Sequence, residues 1–237
     1  MKLAIMQPYF LPYIGYFQLI NAADTFVFFD DVNYINKGWI NRNQLLQKNQ
    51  PVRFTIPLLK ATQNKLINEI ELADYSKWRK DFLKMVEMNY GKAPHFSFVF
   101  GWLNDLLHKN DFLLISDLAE ESIMAVAKLL EMPVKFLKSA SLSYNQNNNL
   151  NGSEKILELC KLLGADEYVN PKNGRELYKQ QDFINHNIKL GFINTHEFNY
   201  PQYRNEAFVP NLSMLDVLMF NDIKETALLI KKYDLNQ

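Results

Sequence analysis

Leu3-Ala4-Ile5-Met6, then Gln7-Pro8-Tyr9-Phe10-Leu11-Pro12-Tyr13-Ile14-Gly15-Tyr16, and further on Thr25-Phe26-Val27-Phe28-Phe29 closed by Asp30-Asp31, is the stretch that decides the fold. The first run is short, apolar and halted by Gln-Pro, which reads as a buried strand ending in a loop. Tyr13–Ala23 carries helical periodicity and opens beside Pro12, a residue suited to the approach to a first turn. The Thr-Phe-Val-Phe-Phe run is built of strand formers. Strand, helix and strand in so short a span make a parallel pair with a right-handed crossover. Two strands this apolar suit a sheet covered on both faces.

Working outward, the pattern predicts a short helix over Asn41–Lys48 and strands over Val52–Leu58 and Leu66–Leu72. Three successive helices follow, at Tyr75–Tyr90, His95–Leu107 and Phe112–Leu130. Val134–Leu137 reads as a strand and Gln146-Asn147-Asn148-Asn149 as a polar loop. Ser153–Leu163 reads as a helix capped by Ser153 or Gly152 and stopped by Gly164. Then come a strand at Glu167–Val169, a helix at Arg175–Asn185, a strand at Ile188–Phe198, and helices at Asn211–Phe220 and Ile223–Tyr233. The expected fold is α/β, a parallel open sheet in one domain over 1–237, with a helical segment over 75–132 inserted in or appended to it.

Composition narrows the function classes. Hydrophobic residues make up 48% of the 237, enough to build a sizeable core. Basic and acidic residues number 26 each, so there is no basic excess of the kind that phosphate neutralisation demands of a nucleic-acid binder. An anionic ligand must then be held by a few local cations. The single cysteine, Cys160, reads as a small buried hydrophobe, and His95, His108, His186 and His196 lack metal-ligand spacing, so no metal is expected. No apolar stretch is long enough to span a bilayer and no leader pattern opens the chain, so a cytoplasmic protein without membrane insertion is expected.

Candidate site residues gather where strands end. In open parallel sheets, ligands bind at the carboxyl ends of the strands. There Gln7, Tyr9, Tyr13 and Tyr16 offer flat surfaces and hydrogen-bonding groups, and Gly15 allows a close approach to the amides of a helix start. A well-packed aromatic loop is the plainer alternative, but such polar groups are costly to bury without partners. Asp30 and Asp31 end the second strand; one of them is a candidate general base or hydroxyl ligand, against simple solvation of a strand end. Lys37, Asn41, Arg42 and Asn43 lie in a cation- and amide-rich segment around Trp39, with Lys37 and Arg42 as candidate phosphate clamps. Pro171–Arg175 reads chiefly as a turn, and Ser213 as a ligand hydroxyl or a helix cap.

The runs Met6–Phe17, Phe29–Tyr34 and Trp39–Asn43, with the late segments Gly164–Tyr168, Tyr200–Tyr203 and Phe208–Asp216, resemble the WbqC-like protein family along nearly the whole chain. That resemblance implies a part in making or decorating bacterial surface polysaccharide, of O-antigen or lipopolysaccharide type. A weaker resemblance joins the opening strand, loop and Tyr13-Ile14-Gly15-Tyr16 to the nucleotidyltransferase superfamily, where a His-x-Gly-His motif stabilises phosphate charge. Tyrosine stands here in both histidine places, and it carries no positive charge at neutral pH. Together the resemblances imply acyl or aminoacyl transfer to the amine of a nucleotide-linked amino sugar, with ATP or acyl-CoA as candidate co-substrates. A non-catalytic nucleotide-sugar binding or assembly protein is the alternative.

Overall fold

In the computed structural model, which describes residues 1–144, 150–203 and 207–236, the opening run folds as a strand–helix–strand unit. Strand β1 (Lys2–Met6) leads through the Gln7–Tyr13 loop into helix α1 (Ile14–Asn21), and β2 (Thr25–Phe28) returns parallel to β1. Alternation within these strands feeds two cores. Ala4, Phe26 and Phe28 pack on one face with Phe17, Leu19 and Ile20 of α1, whereas Leu3, Ile5 and Val27 pack on the other.

A hairpin follows, β3 (Arg42–Gln47) with β4 (Gln50–Thr55), where a short helix was expected. Its two turn residues, Lys48 and Asn49, have φ of 48° and 61°, the left-handed pair that suits the twist of a two-residue hairpin. Pairing with Pro51–Thr55 overrides the helical preference of Gln44-Leu45-Leu46-Gln47. The strand expected over Leu66–Leu72 is a 3-10 turn, Ile67–Glu69, followed by a two-residue strand β6 (Glu71–Leu72) that pairs with β5 (Leu58–Leu59). The three expected helices are present as α2 (Tyr75–Tyr90), α3 (Phe96–His108) and α4 (Ile115–Leu129), packed into the same core as α1.

The chain then re-enters the sheet with β7 (Lys135–Lys138), parallel to β2. The Gln146–Asn149 loop lies outside the described residues. Helix α5 (Gly152–Leu162) covers the second face through Ile156, Leu159 and Cys160, and burial pushes the Cys160 thiol up to about 12. Its cap is Asn151, ahead of the expected Gly152 or Ser153: the side chain accepts from the Glu154 amide at 3.1 Å while the Glu154 carboxylate accepts from the Asn151 amide at 2.8 Å. Gly164, at φ 65°, ends the helix as its position implied.

Strands β8 (Glu167–Pro171) and β9 (Lys189–Thr195) extend the parallel sheet on the far side of β1. Between them the expected single helix is a 3-10 turn over Lys172–Leu177 and a short α6 (Gln180–Ile184). Helices α7 (Met214–Phe220) and α8 (Ile223–Ile230) close the chain. An edge strand not foreseen, β10 (Tyr233–Asn236), turns back antiparallel to β9, because α8 stops at Ile230 and Tyr233 pairs with Thr195. The sheet order is β10-β9-β8-β1-β2-β7. Its parallel strands run third, second, first, fourth, fifth in chain order, so the chain reverses direction between β1 and β8. In doubly wound sheets that switch point opens a crevice at the carboxyl ends of the strands.

The loop over this crevice is held in a strained form. Leu11, wholly buried, has φ 43°, a left-handed conformation that costs a residue with a side chain about 1–3 kcal/mol. Three side chains from separate parts of the chain impose it. Ser122 of α4 accepts from the Leu11 amide at 3.0 Å, while Asn43 of β3 and Ser213 at the start of α7 donate to its carbonyl at 2.5 and 2.8 Å. Asn43→Ala removes that donor and the one to the Phe10 carbonyl, so unfolding in urea should show a loss of roughly 2–3 kcal/mol. An unchanged midpoint would mean the loop holds its shape unaided.

Candidate functional site

A cavity of about 1120 Å³ lies at the switch point. Gln7, Tyr9 and Tyr13 border it from the loop after β1, and Asn170, Pro171 and Asn173 from the end of β8. The β3–β4 hairpin supplies a third side. Strand alternation puts Arg42 and Gln44 on one face, and Gln44 pairs across the hairpin with Arg53, so all three reach the cavity. Asn151, Gly152 and Ser153 bring the first turn of α5 to a fourth side.

Two glycines shape the walls. A Cβ at Gly15 would collide with the ring of Tyr13, and one at Gly174 would stand 2.5 Å from the Asn170 amide nitrogen. Gly15 therefore gives room to the Tyr13 ring, where the sequence suggested room for a ligand. Helix α1 begins at Tyr13 without a side-chain cap, and the Tyr16 amide bonds the Tyr13 carbonyl at 3.0 Å.

Among the described residues, the charged side chains on the lining are Arg42 and Arg53. Among the described residues neither forms an ion pair, and Arg42 Nε is buried without a hydrogen-bond partner. Arg53 sits 5.4 Å over the Trp39 ring, whose side chain is 46% exposed at the cavity mouth. Burial raises the hydroxyl pKa of Tyr9 and Tyr13 above 10.0 and that of Tyr16 further, so all three remain neutral donors at physiological pH.

Of the residues singled out from sequence, Gln7, Tyr9, Tyr13, Tyr16, Arg42 and Asn43 line this cavity together. Tyr13 is 37% exposed and forms no side-chain hydrogen bond among the described residues. Tyr16 is 3% exposed and donates to the Gln7 carbonyl at 2.8 Å, so the two tyrosines of the Tyr-x-Gly-Tyr run play different parts. Asn41 is buried behind the hairpin, accepting from Tyr34 and donating to the Ile56 carbonyl. Ser213 serves the Leu11 carbonyl and caps α7. Lys37, at φ 61° in the exposed Asn33–Trp39 loop, does not border the cavity.

Asp30 and Asp31 also stand apart from it. The Asp30 carboxylate is 3% exposed and accepts from Ser139 Oγ and the Ala140 amide, both at 3.0 Å. Asp31 accepts from Ser139 and from Tyr144, whose hydroxyl pKa it helps raise after burial. Beneath them Glu120 is pushed up to about 7, chiefly by burial, against the opposing pull of Lys138. Lys138 Nζ stands 2.6 Å from Glu120 Oε2, pairing with that buried carboxylate and with Asp117. These groups tie the end of β2 to β7 and α4.

Sequence reading passed over Arg53, Asn170 and the α5 terminus. Arg53 was legible only through the hairpin, whose register sets it opposite Gln44. Among the described residues no helix is long and apolar enough to cross a membrane, and no group of three or more His, Cys, Asp or Glu is placed to hold a metal ion.

The chain is similar to uncharacterized protein Rv1507c of Mycobacterium tuberculosis (strain ATCC 25618 / H37Rv), with 28% identity over 226 residues that cover 93% of each chain. No solved structure matches it. A family model matches residues 7–228, from the strained loop to the last helix, and the chain belongs to the WbqC-like protein family.

Proposed function

We propose that the switch-point cavity binds a nucleotide-linked amino sugar and that the protein transfers an acyl or aminoacyl group to the sugar amine, in the building of a bacterial surface polysaccharide. One observation carries the binding half: in a chain of zero formal net charge, the charged residues on the cavity lining, among those described, are two arginines without a described carboxylate partner. Guanidinium forks match phosphate oxygens in geometry as well as charge. Tyrosine rings and amide side chains suit a base or sugar. The polysaccharide setting rests on the family.

In such a transfer the unprotonated amine attacks the donor carbonyl, the carbon–nitrogen bond forms, and the donor's leaving group departs with the bonding electrons. The ammonium proton passes to that leaving group or to solvent. The Tyr13 hydroxyl, without a partner among the described residues, is a candidate donor to an oxyanion, and the cavity supplies orientation. Among the described residues no carboxylate, histidine or cysteine borders the cavity, which favours a second reading: binding and presentation of the nucleotide sugar to another enzyme. Incubation with dTDP-linked amino sugars and either acyl-CoA, or ATP with a carboxylic acid, separates the two by mass spectrometry. A product heavier by the acyl group supports transfer. Binding without any product supports presentation.

Arg42→Lys replaces a fork with a point charge, so affinity for a nucleoside diphosphate in calorimetry should fall by about tenfold with the melting temperature unchanged. Equal affinities would mean that Arg42 does not contact the phosphates. The two tyrosines should behave in opposite ways. Tyr13→Phe should weaken nucleotide-sugar binding and leave stability alone. Tyr16→Phe leaves the Gln7 carbonyl unpaired and should lower stability by about 1–3 kcal/mol, measured by urea unfolding. Matching effects at both positions would contradict this division.

A further inference from the structure

A second cavity, of about 550 Å³, adjoins the first, and the two share Tyr13, Pro171, Asn173 and Asn211 as a common wall. Its chemistry is different. The arginines of the hairpin do not reach it, and among the described residues the charged ones on its lining, Lys172, His196 and Glu197, are exposed. His196 is also engaged, with Nε2 2.9 Å from Asp234. What remains is an aromatic wall with amide groups around it. Phe198 stacks against Tyr200 at 6.5 Å, and Phe208 meets Tyr200 edge-on at 4.9 Å. The Tyr200 hydroxyl is turned away into a 2.6 Å bond with the buried Asp216, which fixes the ring as a rigid surface. Asn194 and Asn199 supply amides on the same cavity.

A flat aromatic surface beside amide donors and acceptors suits a ring with one apolar face and hydroxyls at its edge. The cavity's cation Lys172 is exposed at the edge, whereas both arginines face the first cavity. In a nucleotide-linked sugar the hexose is joined to the terminal phosphate through one oxygen, so a hexose subsite must adjoin the phosphate subsite. The shared wall meets that demand. Tyr13 stands in it with its ring over Gly15.

We propose that the second cavity is the hexose subsite, so that one nucleotide-linked sugar spans both cavities, its phosphates beside Arg42 and Arg53 and its sugar ring against Phe198, which Tyr200 backs. This rests on the nucleotide-sugar reading above and adds to it where each part of the ligand lies. It also puts the acceptor amine beyond the Tyr13 wall, away from the arginines.

Calorimetry with dTDP and UDP, each alone and as a hexose conjugate, tests it on the full chain and on Phe198→Ala, Asn199→Ala and Arg42→Lys. Asn199 is exposed, so its replacement leaves folding intact. The conjugates should bind roughly fivefold or more tighter than the bare diphosphates, the increment of about one added neutral hydrogen bond or stacking contact. Phe198→Ala and Asn199→Ala should erase that gain and leave the diphosphates unaffected, whereas Arg42→Lys should weaken all four ligands. Conjugates that bind no tighter than Arg42-dependent diphosphates would overturn the hexose subsite and leave the phosphate site standing. So would a gain that both second-cavity variants retain. Failure of every nucleotide to bind would overturn both.

Discussion

The carbonyl oxygen of Leu11 is the point on which the site depends. A buried leucine in left-handed backbone is unfavourable alone, and here the amide of Asn43 and the hydroxyl of Ser213 compel it. One comes from the hairpin and the other from the start of α7, while Ser122 of α4 takes the amide of the same residue. Further backbone bonds join the same partners: Phe10 to Ile40, Ser213 to Gln44, and Met214 to Pro12. Three parts of the chain therefore meet on one loop, and their meeting sets Tyr9 and Tyr13 over the ends of β1 and β8. Strain held by several independent partners is commonly found beside functional sites.

Charge placement complements this geometry. Positive and negative residues balance over the whole chain, yet the hairpin directs two guanidinium groups to one hollow while nearby carboxylates turn elsewhere. Asp30 and Asp31 are consumed by Ser139, Ala140 and Tyr144, and so bind β2 to β7. Inside a partly desolvated cavity, unpaired guanidinium groups attract an anion more strongly than surface charges would. Gly15 and Gly174 keep the hollow open by letting Tyr13 and Asn170 lie flat against the backbone.

Much of the frame was legible in the residues because local pattern and tertiary structure agree there. The alternation in β1 and β2 and the long periodicities of α2 to α4 needed no partner to be read. The hairpin was misread because Gln44-Leu45-Leu46-Gln47 is a good helix sequence in isolation, and only pairing with β4 makes it a strand. The edge strand β10 likewise exists through β9 alone. In the site, Tyr13 and Arg42 stood out from their local setting. Asn41, Asn43 and Ser213 drew notice for the same polar character, but the structure spends their hydrogen bonds on backbone carbonyls. Arg53 escaped notice because its cross-strand neighbour in the cavity, Gln44, is nine positions away in sequence, across a turn. Buried amide and hydroxyl groups that support a loop and those that hold a ligand look alike until their partners are known.

The most direct measurement is a crystal structure of the protein with a nucleoside diphosphate. The account predicts the diphosphate at the carboxyl ends of β1 and β8, with Arg42 and Arg53 within hydrogen-bonding distance of its oxygens and Leu11 unmoved in its left-handed conformation. A diphosphate bound on another surface, with both arginines turned to solvent, would contradict it.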